Sequence, residues 1–332
     1  MPMQEILQQG WQIKGEVCRS LQSNVWEITA GNRRYILKKS KLTPEHLRYV
    51  SGAEDLLNSR HFPNFAPLLK TGKGALYYSH KRGNFTLHSL IDGEKCAFTN
   101  RNHLRLTAEA LGNFRNFNFG FTAEGQRRSV LPDYCRQLTQ QVAQLKAMEQ
   151  KALEQRDEFG KQYLIEFRPC FNRAVTALKE LEHSPYRELY RLSDSAGHFI
   201  HGDIAARNVI ITDATAILID FDYCRRDLPL ADLVRLIRRG ITPESNFPLD
   251  LKTIFEGYCR KTQLSAKELE VIKCLLLFPR KFWRIAHRYY YNRETRIPAA
   301  TPEKLAKAAE ESALGELLRK ELEQITEVLD LA

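Results

Sequence analysis

No run of apolar residues here is long enough to cross a bilayer as a helix, which takes about 20 in succession. The opening stretch MPMQEILQQGWQIKGE has no basic start followed by an apolar core, so a secretory signal is not expected. The seven cysteines (18, 96, 135, 170, 224, 259, 274) are odd in number and show no Cys-x-x-Cys spacing. That argues against a disulfide framework or a cysteine zinc site and for reduced thiols in a cytoplasm. Internal repeats, low-complexity linkers, an RNA-binding signature and interleaved aromatic–basic runs are also missing. The expectation is a cytoplasmic protein with no membrane and no nucleic-acid partner.

What is present is ordinary globular material: 332 residues, 43% hydrophobic and 27% charged, with a net charge of +10. The length is comfortable for two lobes. Most of the basic excess reads as solvated Arg and Lys on helix faces. The sharper reading is attraction to polyanions such as nucleotide phosphates, an acidic substrate or a surface polymer.

One stretch stands out: FIHGDIAARNVIITDATAILIDFDY, residues 199–223. Val209–Ile211 and Ala216–Ile219 are apolar strands, and Thr212–Thr215 supplies turn residues between them. Folding this hairpin brings its ends together, about 4.8 Å apart as neighbouring strands. Asn208 and Asp220 can then reach one divalent ion, with Asp203 just outside. Hard oxygen ligands of this kind suit Mg2+, which takes one or two protein groups and fills its shell with phosphate and water. A buried hairpin with turn carboxylates is the bland alternative for any one residue; the ordered trio is the signal.

This layout is similar to that of the protein kinases: an Asp base, an Asn four intervening residues later, then a metal-binding Asp after a strand pair. His201-Gly202-Asp203 stands for His-Arg-Asp, and Asp220-Phe221-Asp222 for Asp-Phe-Gly. The His-Gly-Asp form resembles aminoglycoside and choline phosphotransferases. The run IDFDYCRRDLPLADLVRLIRR resembles, more narrowly, the CotS-type spore coat proteins. The motifs are specific at residues 199–238. The resemblance implies an α+β, bilobal protein-kinase-like fold: a small antiparallel-sheet lobe over residues 1–92, and a mainly helical lobe over 93–332 with a helical insertion around 131–182. It implies ATP and Mg2+ as cofactors, and a hydroxyl-bearing substrate.

Residues 11–39 read as three strands. The first turn, Cys18–Asn24, lacks a Gly-x-Gly-x-x-Gly pattern and offers Ser20, Ser23 and Asn24 instead. In Tyr35-Ile36-Leu37-Lys38, alternation puts Ile36 and Lys38 on one face. By resemblance, Ile36 roofs the adenine and Lys38 holds the α- and β-phosphates. Thr43-Pro44-Glu45 starts a helix running to about Asn58. Glu54 falls on its apolar face with Leu47, Val50 and Leu57, where a carboxylate needs a partner. The resemblance supplies Lys38, with Asp55 the nearby competitor to Glu54.

Ala75–Ser79 and Asn84–Ile91 read as a second hairpin. The resemblance places a hinge at Ile91-Asp92-Gly93, so that backbone groups of Ser89, Leu90 and Ile91 face the adenine. His103–Phe114 is helical, and FRNFNFGF after it reads as packing. Residues 131–156 and 162–182 are long polar helices. Further helices are expected over 230–239, 250–261, 266–290 and 302–329, with Pro279 breaking the third. Trp283, His287, Tyr290 and Arg288 form an aromatic–basic group, either core packing or a substrate wall.

By resemblance, Asp203 is the base, Asn208 and Asp220 hold Mg2+, and Asp222 adds to that metal site. His201 braces the loop, and Asp232 holds its backbone. Arg207 meets phosphate, substrate or solvent. Three functions follow: an active small-molecule or sugar kinase, an idle structural coat protein, or a protein kinase suggested by Ala-Ala-Arg-Asn. No Ala-Pro-Glu motif follows Asp220, which counts against the last. The expected location is the mother-cell cytoplasm, with assembly into the spore coat and its components as partners a further possibility.

Overall fold

The computed structural model describes residues 2–121, 128, 130–291 and 300–328. The elements run α1 (Pro2–Trp11), β1 (Glu16–Gln22), β2 (Val25–Ala30), β3 (Arg33–Lys39), α2 (Pro44–Ser59), β4 (Tyr78–His80), β5 (Gly83–Ser89), β6 (Glu94–Lys95) and α3 (Arg101–Phe114). Then come α4 (Tyr134–Gln155), α5 (Glu158–His183), α6 (Tyr186–Ala196), β7 (Phe199–Ile200), β8 (Val209–Ile211), β9 (Ala216–Leu218) and β10 (Arg225–Arg226). Helices α7 (Leu230–Gly240), α8 (Leu249–Cys259), α9 (Ala266–Leu277), α10 (Arg280–Tyr291) and α11 (Pro302–Val328) follow. The fold is α+β.

Two compact units are formed. The first comprises residues 1–131, 196–235 and 254–262, and the second comprises 132–195, 236–253 and 263–332. The sheet and the whole 199–223 stretch therefore belong to the first.

The first unit is built on a five-stranded antiparallel sheet, order β1-β2-β3-β5-β4. Alternation decides its faces. Tyr35 and Leu37 of β3, with Phe85 and Leu87 of β5, bury into a core closed by Ile6, Leu7 and Trp11 of α1. The α1 helix is not legible as a core element from its ten polar-rich residues. Ile36 and Lys38 take the other face, opposite His88 and Thr86 in register. The expected polar turn at Cys18–Asn24 is corrected: the chain stays in β1 through Gln22, and only Ser23 and Asn24 turn. Ser20 thus sits in a strand, its hydroxyl donating to Gln22 O at 3.0 Å. Strand β4 begins at Tyr78, not at Ala75.

Thr43 caps α2, accepting from His46 N at 3.3 Å, with Pro44 at the first helical position. The FRNFNFGF segment packs. Phe114 meets Phe199 and Phe221 at ring centroid distances of 5.8 and 5.9 Å, and Phe121 meets Phe199 at 5.8 Å. Aromatic mass thus sits directly behind the candidate catalytic loop.

The second unit is helical. Helices α4 and α5 form an antiparallel pair, turned at Arg156 in the left-handed region (φ 51°) and restarted by Asp157, which accepts from Gly160 N at 2.7 Å. Helices α9, α10 and α11 pack with them. The chain breaks between α9 and α10 at Pro279, as the ring's missing N–H requires.

Candidate active site

The hairpin of β8 and β9 pairs Val209 with Leu218 and Ile211 with Ala216. Its turn is closed by Thr212 N donating to Thr215 O at 2.8 Å. Ile219 N donates to Asn208 O at 3.0 Å, so the ladder continues to the two residues that end the ribbon. Asn208 therefore lies beside Ile219, one residue before Asp220. Sequence reasoning missed two supports. Strand β6 pairs with β8, and Gly93 passes so close that a Cβ there would lie 2.4 Å from Ile211 O. Buried Asn64 donates to Thr215 Oγ1 and Ala216 O at 2.8 and 2.9 Å and accepts from Asn113 Nδ2 at 2.7 Å. Neither leaves a local sequence pattern, because both join residues far apart in the chain.

The loop before the hairpin is held from beneath. Asp232 is buried at the start of α7, and its carboxylate accepts from His201 N at 2.7 Å and Gly202 N at 3.0 Å. Arg235, one turn on, donates to Gly202 O at 2.6 Å. Gly202 has φ +83°, and a Cβ there would lie 2.2 Å from Tyr223 O. No side chain fits, so the glycine that replaces the protein-kinase arginine is a steric requirement of this loop. His201 is fully buried: Nε2 donates to Ile219 O at 2.9 Å and Nδ1 accepts from Asp203 N at 3.2 Å. Burial lowers its pKa and both ring nitrogens are occupied by backbone, which makes it a neutral brace and not a base.

Asp203 is 8% exposed. Its Oδ2 accepts from Arg207 Nη2 at 2.6 Å and from Asn208 Nδ2 at 2.9 Å. Asn208 Nδ2 also donates to Asp203 O at 2.8 Å. The amide hydrogens of Asn208 are thus used in fixing Asp203, which orients Asn208 Oδ1, a hard donor, away from it. Arg207, left open in the sequence between phosphate, substrate and solvent, is seen here gripping the carboxylate of Asp203.

Asp220 adopts the left-handed region (φ 66°, ψ 69°), tolerable for an aspartate, and this turns its carboxylate toward β3. Lys38 Nζ sits 2.5 Å from Asp220 Oδ1 and 2.8 Å from Asp222 Oδ1. Burial alone would lower the lysine pKa, but the two carboxylates outweigh it and the net shift is upward. Asp222 is in turn fixed through its backbone: Arg128 donates to Asp222 O at 2.6 Å and Cys224 O at 2.8 Å.

The pair expected between Lys38 and Glu54 is not formed in this structure. Glu54 is buried on α2, with His88 Nδ1 as its near neighbour at 3.9 Å. Burial pushes its carboxyl up to about 8 against the attraction of Lys38, while burial and then Lys38 pull His88 down to about 4. Two partly hydrated carboxylates hold the ammonium better than one buried, protonated acid.

Ile36 lies on the same β3 face as Lys38, opposite His88. At the expected hinge, Ser89 N donates to Pro67 O at 3.1 Å and Leu90 N to Arg34 O at 3.0 Å. Among the described residues, no backbone carbonyl takes the Ile91 N–H.

The donor set fits a divalent cation. Two carboxylates, Asp220 and Asp222, converge on one positive charge, here the Lys38 ammonium, and Asn208 ends the same hairpin, its backbone O bonded to Ile219 N. Among the described residues there is no cluster of three or more His, Cys, Asp or Glu that could hold a metal ion.

Against this geometry stand the comparisons. The phosphotransferase enzyme family profile matches residues 14–269. Spore coat protein S of Bacillus subtilis (strain 168) is 22% identical over 270 residues, covering 80% of this chain and 77% of that protein. A crystal structure of an aminoglycoside phosphotransferase from Alicyclobacillus acidocaldarius superposes with TM-score 0.77 at 23% identity, over 94% of this chain and 93% of that one. An amicoumacin kinase in complex with AMP-PNP, Ca2+ and Ami superposes with TM-score 0.56 at 14% identity, over 98% and 93%. With a kinase-like fold and a profile match across most of its length, the chain belongs to the phosphotransferase enzyme family.

Proposed function

We propose that this protein is an ATP- and Mg2+-dependent phosphotransferase that moves the γ-phosphoryl group to a hydroxyl of a small molecule or sugar unit. The observation that carries this reading is the convergence of the Asp220 and Asp222 carboxylates on the Lys38 ammonium, at the end of the hairpin whose Asn208 also fixes Asp203. When bound, Mg2+ would be held by Asn208, Asp220 and Asp222 and would neutralise charge between the β- and γ-phosphates. Lys38 moves from the aspartates to the phosphates as the nucleotide enters, with buried Glu54 as the acid beside its new position. Ile36 covers the adenine, and the Ile91 N–H is the hinge donor not already used by the fold; the backbones of Ser89 and Leu90 hold the hinge shape. Asp203 receives the proton of the acceptor hydroxyl as its oxygen bonds to the γ-phosphorus and the bond to the β-phosphate oxygen breaks. Such catalysis is mostly positioning and electrostatics.

The test is phosphate transfer screened over sugars, amino alcohols and peptides. Wild type should transfer to a small hydroxyl compound, while Asp203→Asn binds nucleotide without transfer. Normal turnover by that variant removes the assigned base.

The likeness to a spore coat protein favours a second reading: a coat-associated protein that keeps the fold without turnover. No thermal stabilisation of wild type by ATP and Mg2+ would favour it. On the first reading the partners are a nucleotide and a hydroxyl-bearing substrate, and on the second they are coat components; the place of action is the mother-cell cytoplasm or the coat assembled from it. Among the described residues, no helix is long and apolar enough to cross a membrane.

A further inference from the structure

The two aspartates of the site are held in different ways. Asp220 follows the ribbon directly, since Ile219 before it is bonded to Asn208 across the ladder. Asp222 lies two residues on, in a single 3-10 turn, Phe221–Tyr223, that leads into β10. A turn this short has few bonds of its own; here Cys224 N donates to Phe221 O at 2.8 Å. Phe221 is fixed by packing, against Phe65, Phe114 and His201 at ring centroid distances of 6.2, 5.9 and 4.4 Å. Tyr223 on the other side is 59% exposed, so its ring gives the turn little anchorage. The direction of the Asp222 carboxylate therefore depends on how its main chain is held.

That main chain is gripped from a distance. Arg128, 94 positions before Asp222, donates through Nη1 to Asp222 O at 2.6 Å and to Cys224 O at 2.8 Å. One guanidinium nitrogen thus spans the carbonyls on either side of Tyr223 and clamps the turn. Arg128 and the turn both belong to the first unit. The bonds go to backbone oxygens, which leaves the Asp222 carboxylate available; its Oδ1 lies 2.8 Å from Lys38 Nζ. An arginine held there by charge alone would take the carboxylate instead.

We infer that Arg128 is a positioning residue for the metal site: by clamping the backbone from Asp222 to Cys224 it aims the Asp222 carboxylate at Mg2+. The inference rests on the proposed function. Two effects of Arg128 oppose each other. Its positive charge repels a cation bound nearby, while its clamp keeps a ligand in place. Removing it tightens Mg2+ binding through the first effect and weakens it through the second, so the sign of the change identifies which one governs. Groups that orient metal ligands from behind are worth about 10–100-fold in metal affinity, which puts the clamp ahead.

The test uses the full chain and calorimetric titration of ATP at a series of Mg2+ concentrations. Arg128→Ala should raise the Mg2+ concentration that half-saturates ATP binding by about tenfold over wild type. Asp222→Asn should raise it too. Arg128→Ala/Asp222→Asn should then lie within about twofold of Asp222→Asn alone, because the clamp has no carboxylate left to aim. A clamp that served stability only would lower Tm without this dependence on residue 222. Should Arg128→Ala fail to fold, Arg128→Gln, whose side chain is too short to bridge both carbonyls, takes its place with the same expectations. A Mg2+ requirement that is unchanged or lowered in the Arg128 variant, or that rises as much again in the Asp222→Asn background, would overturn the inference and leave the proposed function standing. ATP binding by wild type that ignores Mg2+ would remove both.

Discussion

At the residue scale, the site depends on which atoms each side chain has already committed. Asp203 receives two N–H donors on one oxygen, so its carboxylate is aimed before any substrate arrives. Removing one of these donors should loosen that aim: Arg207→Met is expected to lower kcat about tenfold or more with little change in nucleotide affinity, checked by steady-state kinetics beside ADP titration. Asp203→Asn should lose at least the factor of about 10²–10⁴ in kcat that a positioned base supplies, leaving no detectable transfer. Glu54 gives a stability prediction with a definite sign. Its folded carboxyl titrates near 8 against 4.5 unfolded, so its contribution is fully present below about pH 4.5 and is lost as pH rises toward 8. Glu54→Gln should therefore gain in Tm relative to wild type as pH is raised from 5 to 9. A Tm difference that is flat across that range would mean the carboxyl is ionised, or exposed, in the folded protein. These commitments were only partly visible in the residue string. The order of Asp203, Asn208 and Asp220 was legible because the spacing is local. The hold of Asp220 on Lys38 spans 182 positions, and nothing near either residue announces it.

The element that matters is a short ribbon with two anchors. Three-residue strands have too few ladder bonds to be rigid alone. Asn64 supplies stiffness from outside, tying the turn and β9 to α3 through Asn113. Asn64→Ala strands a buried amide and a carbonyl, so a loss of about 1–3 kcal/mol is expected in chemical denaturation, together with reduced turnover. Asp232 does the same for the loop from α7, and Gly202 allows that loop to pass Tyr223. Gly202→Ala must both clash and hold φ +83°, which costs about 1–3 kcal/mol in strain alone. The hairpin, the Thr43 cap and the Pro279 break were readable because turn chemistry, capping and a missing N–H act within a few residues. Helix α1, strand β6 and the full length of β1 were not, since each is decided by what it packs or pairs with across the chain. Ser20 shows the cost: its polarity suggested a turn, and pairing across to Trp26 made it strand.

On the scale of the whole molecule, the first unit carries both halves of the proposed nucleotide site: the β3 lysine and the ribbon with its carboxylates. Lys38 is paired with Asp220 and Asp222 there, so on the proposed function Mg2+ and phosphates would take over those partners when nucleotide binds. Binding that favours only the folded state raises stability by about 2.7 kcal/mol at a hundredfold excess over Kd. The most direct measurement is calorimetric titration of ATP into wild type and Asp220→Ala, each with and without Mg2+. Tight binding by wild type only when Mg2+ is present, lost in Asp220→Ala, is the predicted result. ATP binding that ignores Mg2+, or that survives Asp220→Ala unchanged, would contradict the metal–nucleotide site on which the account stands.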